Sequence, residues 1–246
     1  MTRRINGRNT PTKGVETMIE KESLELLNDA RAQQVLERLY AEASGEFPGL
    51  ILRMLPYLPS MALGRKLRWE GMEQRLSSKF MPLDQSQGLF SYLLARSIGA
   101  RRIIEYGTSF GVSTIYLALA VRHNGGGTVI GTELVPEKAA RARQHLEQAG
   151  LADLVEVRVG DAAETLSEIE GPVDFLLNDG FPPKALPVLQ CIAPHMRKGA
   201  VVVTDNVGLF KADYAAYIAY LRDPVNGFRS SWIGMAEGME FSVREG

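Results

Sequence analysis

From Pro82 onward the chain alternates between two textures, and that alternation is the strongest constraint on its fold. Short runs rich in Ile and Val occupy 102–106, 128–132, 155–159, 173–177 and 200–204. Between them lie the amphipathic, helix-length patterns 112–122, 136–149, 162–169, 184–196 and 212–221. Strands alternating with helices imply right-handed crossovers and a mostly parallel sheet covered on both faces. The ending differs: 228–233 and 239–244 are strand-like and separated only by a short Gly-containing turn, so a hairpin must close the sheet with an antiparallel strand. The expected fold is α/β, with a mostly parallel seven-stranded sheet, a C-terminal antiparallel hairpin and a helical N-terminal extension.

Three segments follow from this reading. Residues 1–17 are polar and expected to be a disordered tail. Residues 18–79 are expected to form a helical cap or oligomerisation segment, and 80–246 the main domain. A helical pattern over 19–43 places Leu24, Leu27, Val35, Leu36 and Leu39 on or near one face. Pro48, Pro56 and Pro59 then punctuate an apolar stretch containing Leu50, Ile51, Leu52, Met54, Leu55 and Tyr57. It reads either as a docked cap or dimer surface, or as a lid over a hydrophobic ligand. In both cases Leu50, Ile51, Met54 and Leu55 should be covered, by the main domain or by a second subunit, because apolar clusters of this size are seldom left open.

Charge and cysteine content narrow the function classes. A net charge of -1 supplies no overall field for nucleic acid or an anionic membrane. Cys191 is the only cysteine, so disulfides and cysteine metal clusters are excluded and a reducing compartment, the cytoplasm, is expected. No apolar run approaches the roughly 20 residues of a membrane helix, and no secretory signal is expected, since Arg3, Arg4 and Arg8 are followed by polar residues.

In sheets of this kind ligands bind beyond the carboxyl ends of the strands, near the point where strand order reverses. The first strand runs into Glu105-Tyr106-Gly107-Thr108-Ser109-Phe110-Gly111-Val112-Ser113. Gly107 and Gly111 permit a tight turn and close backbone approach to a ligand. The helix that follows offers free N–H groups and its positive dipole end to a carboxylate or phosphate. This turn, with Glu105, Gly107, Ser109, Gly111 and Ser113, is the candidate cofactor-binding segment. Its G-x-x-x-G spacing lacks the third glycine of the dinucleotide fingerprint. Glu133, just after the second strand, stands where a carboxylate accepts both ribose hydroxyls. Gly160-Asp161-Ala162 after the third strand supplies a polar edge and a small residue for an adenine, and Asp179 after the fourth can receive an amino group. Together these describe S-adenosylmethionine (SAM) better than a dinucleotide.

Asp179, Asp205 and Asn206 fall at the carboxyl ends of strands expected to be adjacent. Two carboxylates and an amide carbonyl form a hard-oxygen half shell suited to Mg²⁺, which keeps several waters and needs few protein ligands. The competing reading is that Asp205-Asn206 caps a turn. Nothing forms a nucleophilic triad: His123 falls in a glycine loop, His145 in a charged helix, His195 near a helix end, and Cys191 reads as core.

From Met81 to Arg244 the chain resembles class I SAM-dependent O-methyltransferases of the catechol and caffeoyl-coenzyme-A type and their small bacterial relatives. The resemblance is carried by Met81-Pro82-Leu83, Glu105–Ser113, Gly131-Thr132-Glu133, Gly160-Asp161-Ala162, Asn178-Asp179-Gly180, Thr204-Asp205-Asn206-Val207 and the closing 238–244. It implies a Rossmann-like class I methyltransferase fold. It also implies that Leu83, Gly107 and Ser113 contact the methionine end of SAM, that Glu133 holds the ribose, that Ala162 lies beside the adenine and that Asp179 faces the amino group. In the resembling enzymes the Asp-Asp-Asn trio chelates a metal that binds vicinal hydroxyls of the acceptor. The implied function is methyl transfer to a hydroxyl of a small phenolic or catechol-like molecule, with Mg²⁺. One departure stands out. Those enzymes carry a lysine, as general base, three residues after the first metal aspartate, and here that place is Pro182. Lys184, two residues later, is the candidate replacement, either swung inward or left on the surface. The alternatives are a metal-independent O- or N-methyltransferase and a non-catalytic SAM-binding protein, with a nicotinamide dehydrogenase more distant. The expected partners are a small-molecule acceptor and a second copy in a homodimer, with neither nucleic acid nor membrane.

Overall fold

The computed structural model describes residues 24–72 and 79–246. The expected tail 1–17 and the first residues of the expected helix 19–43 lie outside them.

Ahead of α3 (Gln85–Ser97) the described residues include the helices α1 (Ala30–Met54) and α2 (Leu58–Ala62). Strands and helices then alternate: β1 (Arg102–Tyr106), α4 (Val112–His123), β2 (Thr128–Glu133), α5 (Pro136–Ala149), β3 (Val155–Val159), α6 (Ala162–Thr165), β4 (Val173–Asn178), α7 (Pro182–Ile192) and β5 (Met196–Thr204). Helix α8 (Ala215–Arg222) leads into β6 (Phe228–Ile233) and β7 (Met239–Arg244). The sheet has the order β3-β2-β1-β4-β5-β7-β6. Its first five strands are parallel, and β7 runs antiparallel to both β5 and β6.

The central strands have no outward face: Ile103, Ile104, Phe175, Leu176 and Leu177 are fully buried. Helix α4 is apolar almost all round and is buried from Val112 to Val121, as expected of a helix enclosed by other elements. Part of its cover is α1, whose Leu36 and Leu39, with Leu27 just ahead of it, share one core with α4. Asp29 caps α1 by accepting the Ala32 N–H at 2.9 Å and pairs with Arg122 at the end of α4. An N-cap of this kind contributes roughly 1 kcal/mol.

Some boundaries differ from the sequence expectation, each for a local reason. The helix expected over 19–43 is broken by a turn at Leu26 and Leu27, resumes at Ala30 and runs through Pro48 to Met54. Proline removes one N–H, and the carbonyl left without that donor belongs to Ser44, an exposed residue that water can serve. The helix expected over 162–169 stops at Thr165, because Arg158 of β3 takes the Thr165 and Glu168 carbonyls at 2.7 and 3.2 Å. The helix expected over 184–196 starts at Pro182, where the missing N–H of proline costs nothing. It ends at Ile192, and a single 3-10 turn over Ala193–His195 leads into β5. Of the two covers expected for Ile51, Met54 and Leu55, the main domain or a second subunit, the main domain does not supply one for Ile51 and Leu55. Ile51 is 46% and Leu55 48% exposed, and only Met54 is half-buried; the Leu50 side chain lies outside the described residues.

Candidate functional site

Strand register brings the sequence-distant acids together. Tyr106 pairs with Thr132 on one side and with Asn178 on the other, and Asn178 pairs with Thr204. The next residues along the chain, Gly107, Glu133, Asp179 and Asp205, therefore emerge side by side at the carboxyl edge, where strand order reverses between β1 and β4. They border a cleft of about 1090 Å³. Leu83, Gly107, Ser109, Glu133, Asp161, Ala162, Asp179, Lys184, Asp205 and Asn206 all line it. Glu105, Gly111 and Ser113 are not among the lining residues.

The glycine turn has the expected strained geometry. Gly107 sits at φ 98° and Gly111 at φ 85°. A Cβ on Gly107 would stand 2.6 Å from the Asp179 carbonyl oxygen, so neither conformation nor space admits another residue. Ser109 also has positive φ, 48°, and turns its N–H onto Glu133 Oε2 at 2.8 Å. The other Glu133 oxygen accepts the Val135 N–H at 2.8 Å. Both oxygens keep lone pairs for ligand hydroxyls, and the side chain is held in a single pose. Glu105 braces the turn from behind. It is fully buried and accepts Thr108 Oγ1 at 2.8 Å and Thr114 Oγ1 at 2.5 Å. Burial raises its carboxyl above the usual range, against the hydrogen bonds from Thr114, Ser113 and Thr108.

At the other end of the cleft Asn206, at φ 60°, donates its amide to Asp205 at 2.9 Å and to Asp179 at 3.3 Å. Gln87 of α3 donates to the second Asp205 oxygen. Burial, then repulsion from Asp205 and Glu105, raises the Asp179 carboxyl well above its ordinary value. Burial likewise pushes Asp205 up to about 6, against hydrogen bonds from Asn206 and Gln87, with Glu237 and Asp84 adding repulsion. Lys184 does not join this pair: its ammonium lies 3.0 Å from Asp161, with the side chain half exposed.

Four contributors were not visible in the sequence pattern. Tyr40 of α1 donates to the Leu83 carbonyl at 3.0 Å and lines the cleft. His145 bonds the Phe110 carbonyl at 2.8 Å through Nδ1, which must donate because a carbonyl only accepts. Gln87 holds Asp205. Trp69 meets Phe210 and Phe181 edge-on, with centroids 5.2 and 5.8 Å apart, and donates its indole N–H to Asp213 at 2.9 Å. Tyr40 follows Leu36 and Leu39 on the apolar face of α1, a hint that a polar tip there had work beyond packing. The others depend on long-range contacts.

The strand order, the glycine turn and the row of acids at the carboxyl edge define the Rossmann-like class I methyltransferase fold. Residues 104–207 match the family of methyltransferase domains. The catechol O-methyltransferase of Mycobacterium tuberculosis is 43% identical over 122 residues, covering 49% of this chain and 54% of that protein. The catechol O-methyltransferase of Niastella koreensis is 36% identical over 126 residues, covering 50% and 56%. The chain thus spans about half the length of the curated relatives it matches. Among solved structures, the O-methyltransferase TomG from Streptomyces achromogenes in complex with SAM superposes with a TM-score of 0.64 at 26% identity, over 72% of this chain and 87% of that one. An O-methyltransferase from Bacillus cereus in complex with SAH gives 0.61 at 25% identity, over 85% and 100%. Residues 104–207 thus match a methyltransferase-domain family, and the chain is similar to catechol-type O-methyltransferases.

The expectation that Glu133 holds the ribose of a bound cofactor can be checked directly. Glu133→Ala should weaken binding of S-adenosylhomocysteine (SAH) by about 1.5–3 kcal/mol for each charged hydrogen bond removed. Unchanged affinity by calorimetry, in a variant that melts like the parent, would rule out ribose binding at this residue.

Proposed function

We propose that this protein transfers the methyl group of SAM to a hydroxyl of a small phenolic or catechol-like acceptor, with Mg²⁺ or a similar divalent ion held by Asp179, Asp205 and Asn206. The observation that carries the reading is the placing of those three side chains in the same cleft as Glu133 and the glycine turn. In this reading Leu83 and Gly107 receive the methionine end, Asp179 its amino group, Glu133 the ribose, and Asp161 and Ala162 the adenine. Ser113, Gly111 and Glu105 act from behind by holding the turn.

The trio fits a hard cation. Two mutually repelling carboxylates share one end of the cleft, and what offsets their repulsion comes from the uncharged Asn206 and Gln87. Turning the Asn206 amide over would present its oxygen as a third hard donor. A bound divalent ion would lower the pKa of an acceptor hydroxyl and hold its oxygen in place. The protein's own task is then positioning and exclusion of water, which suffice for much of a transfer from a sulfonium, already a good leaving group. Lys184, turned to Asp161, is not needed as a base.

The acceptor end has an aromatic wall of Trp69, Phe181 and Phe210, all lining the cleft. Edge and face contacts with such a wall are worth about 0.5–1.5 kcal/mol beyond area burial. Trp69→Ala should therefore raise the acceptor KM about tenfold while leaving SAH affinity unchanged. In a Trp232→Phe background, Trp69 is the only indole, and catechol should quench its fluorescence. The test of the whole reading is methyl transfer to a panel of catechols and simple phenols, with and without chelator. Transfer to none of them, in protein that binds SAH, would refute it. One cysteine suits the cytoplasm, and no helix among the described residues is long and apolar enough to cross a membrane.

A further inference from the structure

The end of α1 and the segment after it present an unusual surface. Ile51, Leu52, Leu55, Leu58 and Leu63 are exposed by 46, 69, 48, 44 and 65%, and α2 buries none of its residues. Interleaved with them are Arg53, Arg65, Lys66 and Arg68, all exposed. Between Glu46 and Glu70 the chain has no carboxylate. The whole-chain charge of -1 averages this segregation away. Met54 and Trp69, from the same stretch, line the cleft, so the surface lies at its mouth. A second cationic block, Arg3, Arg4, Arg8 and Lys13, precedes the first carboxylate of the chain, Glu16.

We infer that this face docks on an anionic phospholipid surface. Exposed leucines among arginines and lysines are what an interfacial segment needs: side chains that leave water for the acyl boundary, and cations that meet lipid phosphates. A second copy fits less well. Across a two-fold axis the same patch meets itself, which would gather two sets of these cations in one interface with no carboxylate in the segment to offset them. Docking would open the cleft toward the bilayer and give it access to acceptors dissolved there.

The test uses the full chain and needs no acceptor. The protein should co-sediment with vesicles containing phosphatidylglycerol, but not with pure phosphatidylcholine. Binding should be lost in about 1 M salt, where the Debye length is about 3 Å. Joint replacement Leu52→Ser and Leu63→Ser should weaken binding more than about tenfold, as should Arg65→Glu with Lys66→Glu and Arg68→Glu. Both variants change exposed side chains, so SAH affinity and melting should match the parent. Absence of lipid-dependent sedimentation would overturn the proposal, as would variants that still bind like the parent. So would sedimentation equilibrium showing a dimer that the Leu52/Leu63 variant dissociates, because the face would then be a self-interface.

Discussion

Asp205→Ala is expected to abolish methyl transfer, and chelator should do the same, while Lys184→Ala should cost less than about tenfold in rate, or roughly 1.4 kcal/mol of barrier. The expectation rests on placement. Asp205 is 5% exposed, bonded by Gln87 and Asn206, and lines the same cleft as Asp179. Lys184 is paired with Asp161 instead. A metal held by the trio would acidify the acceptor hydroxyl without a side-chain base. Full activity in chelator together with an inactive Lys184→Ala protein would reverse the assignment and make Lys184 the base. If both variants stay fully active on a proven acceptor, neither group takes part and positioning alone carries the rate. Calorimetry with SAH and a melting curve separate lost chemistry from lost fold.

The second large effect concerns the N-terminal helix. Removing residues 1–64 should make the protein aggregate or melt far lower, because α1 and the turn before it supply Leu27, Leu36 and Leu39, all fully buried against α4. At about 1.5–3 kcal/mol for each leucine, the loss is comparable with the whole net stability of an ordinary domain, about 5–15 kcal/mol. The deletion also takes Tyr40 from the Leu83 carbonyl and Glu42 from Arg141, which it meets at 2.6 Å. Cofactor affinity should therefore fall even under conditions where the shortened chain stays soluble. A soluble product with unchanged melting and SAH binding would show that α1 is dispensable. The more modest Leu36→Ala should cost about 2–5 kcal/mol on its own. Removing residues 1–17 alone is expected to leave melting and SAH binding unchanged.

The regular half of the chain was readable because its signals are local. The strand-like runs at 102–106, 155–159, 228–233 and 239–244 coincide with β1, β3, β6 and β7; β1 is buried through its middle, while the edge strands β3 and β6 keep exposed polar residues between the apolar ones. The residues next after those strands were readable for the same reason, as glycines and acids break the pattern where the chain turns. Less legible were places where a distant side chain intervenes. Arg158 ends α6, and Asp213 ties down Leu67 and Trp69. Neither leaves a mark at the residue it controls.

What the amino-acid order determined by itself was the α/β class, the antiparallel close and the set of chemically equipped residues at the strand ends, because hydrophobic period and turn chemistry act within a few residues. Tertiary structure decided how those residues meet. Parallel register put Glu133, Gly107, Asp179 and Asp205 along one edge although they are far apart in the chain. It also decided that Glu105 braces the turn, that Lys184 turns to Asp161, and that the main domain leaves Ile51 and Leu55 open beside a run of cations. Contacts between elements far apart in sequence depend on the packing of the whole sheet, and no local pattern encodes that.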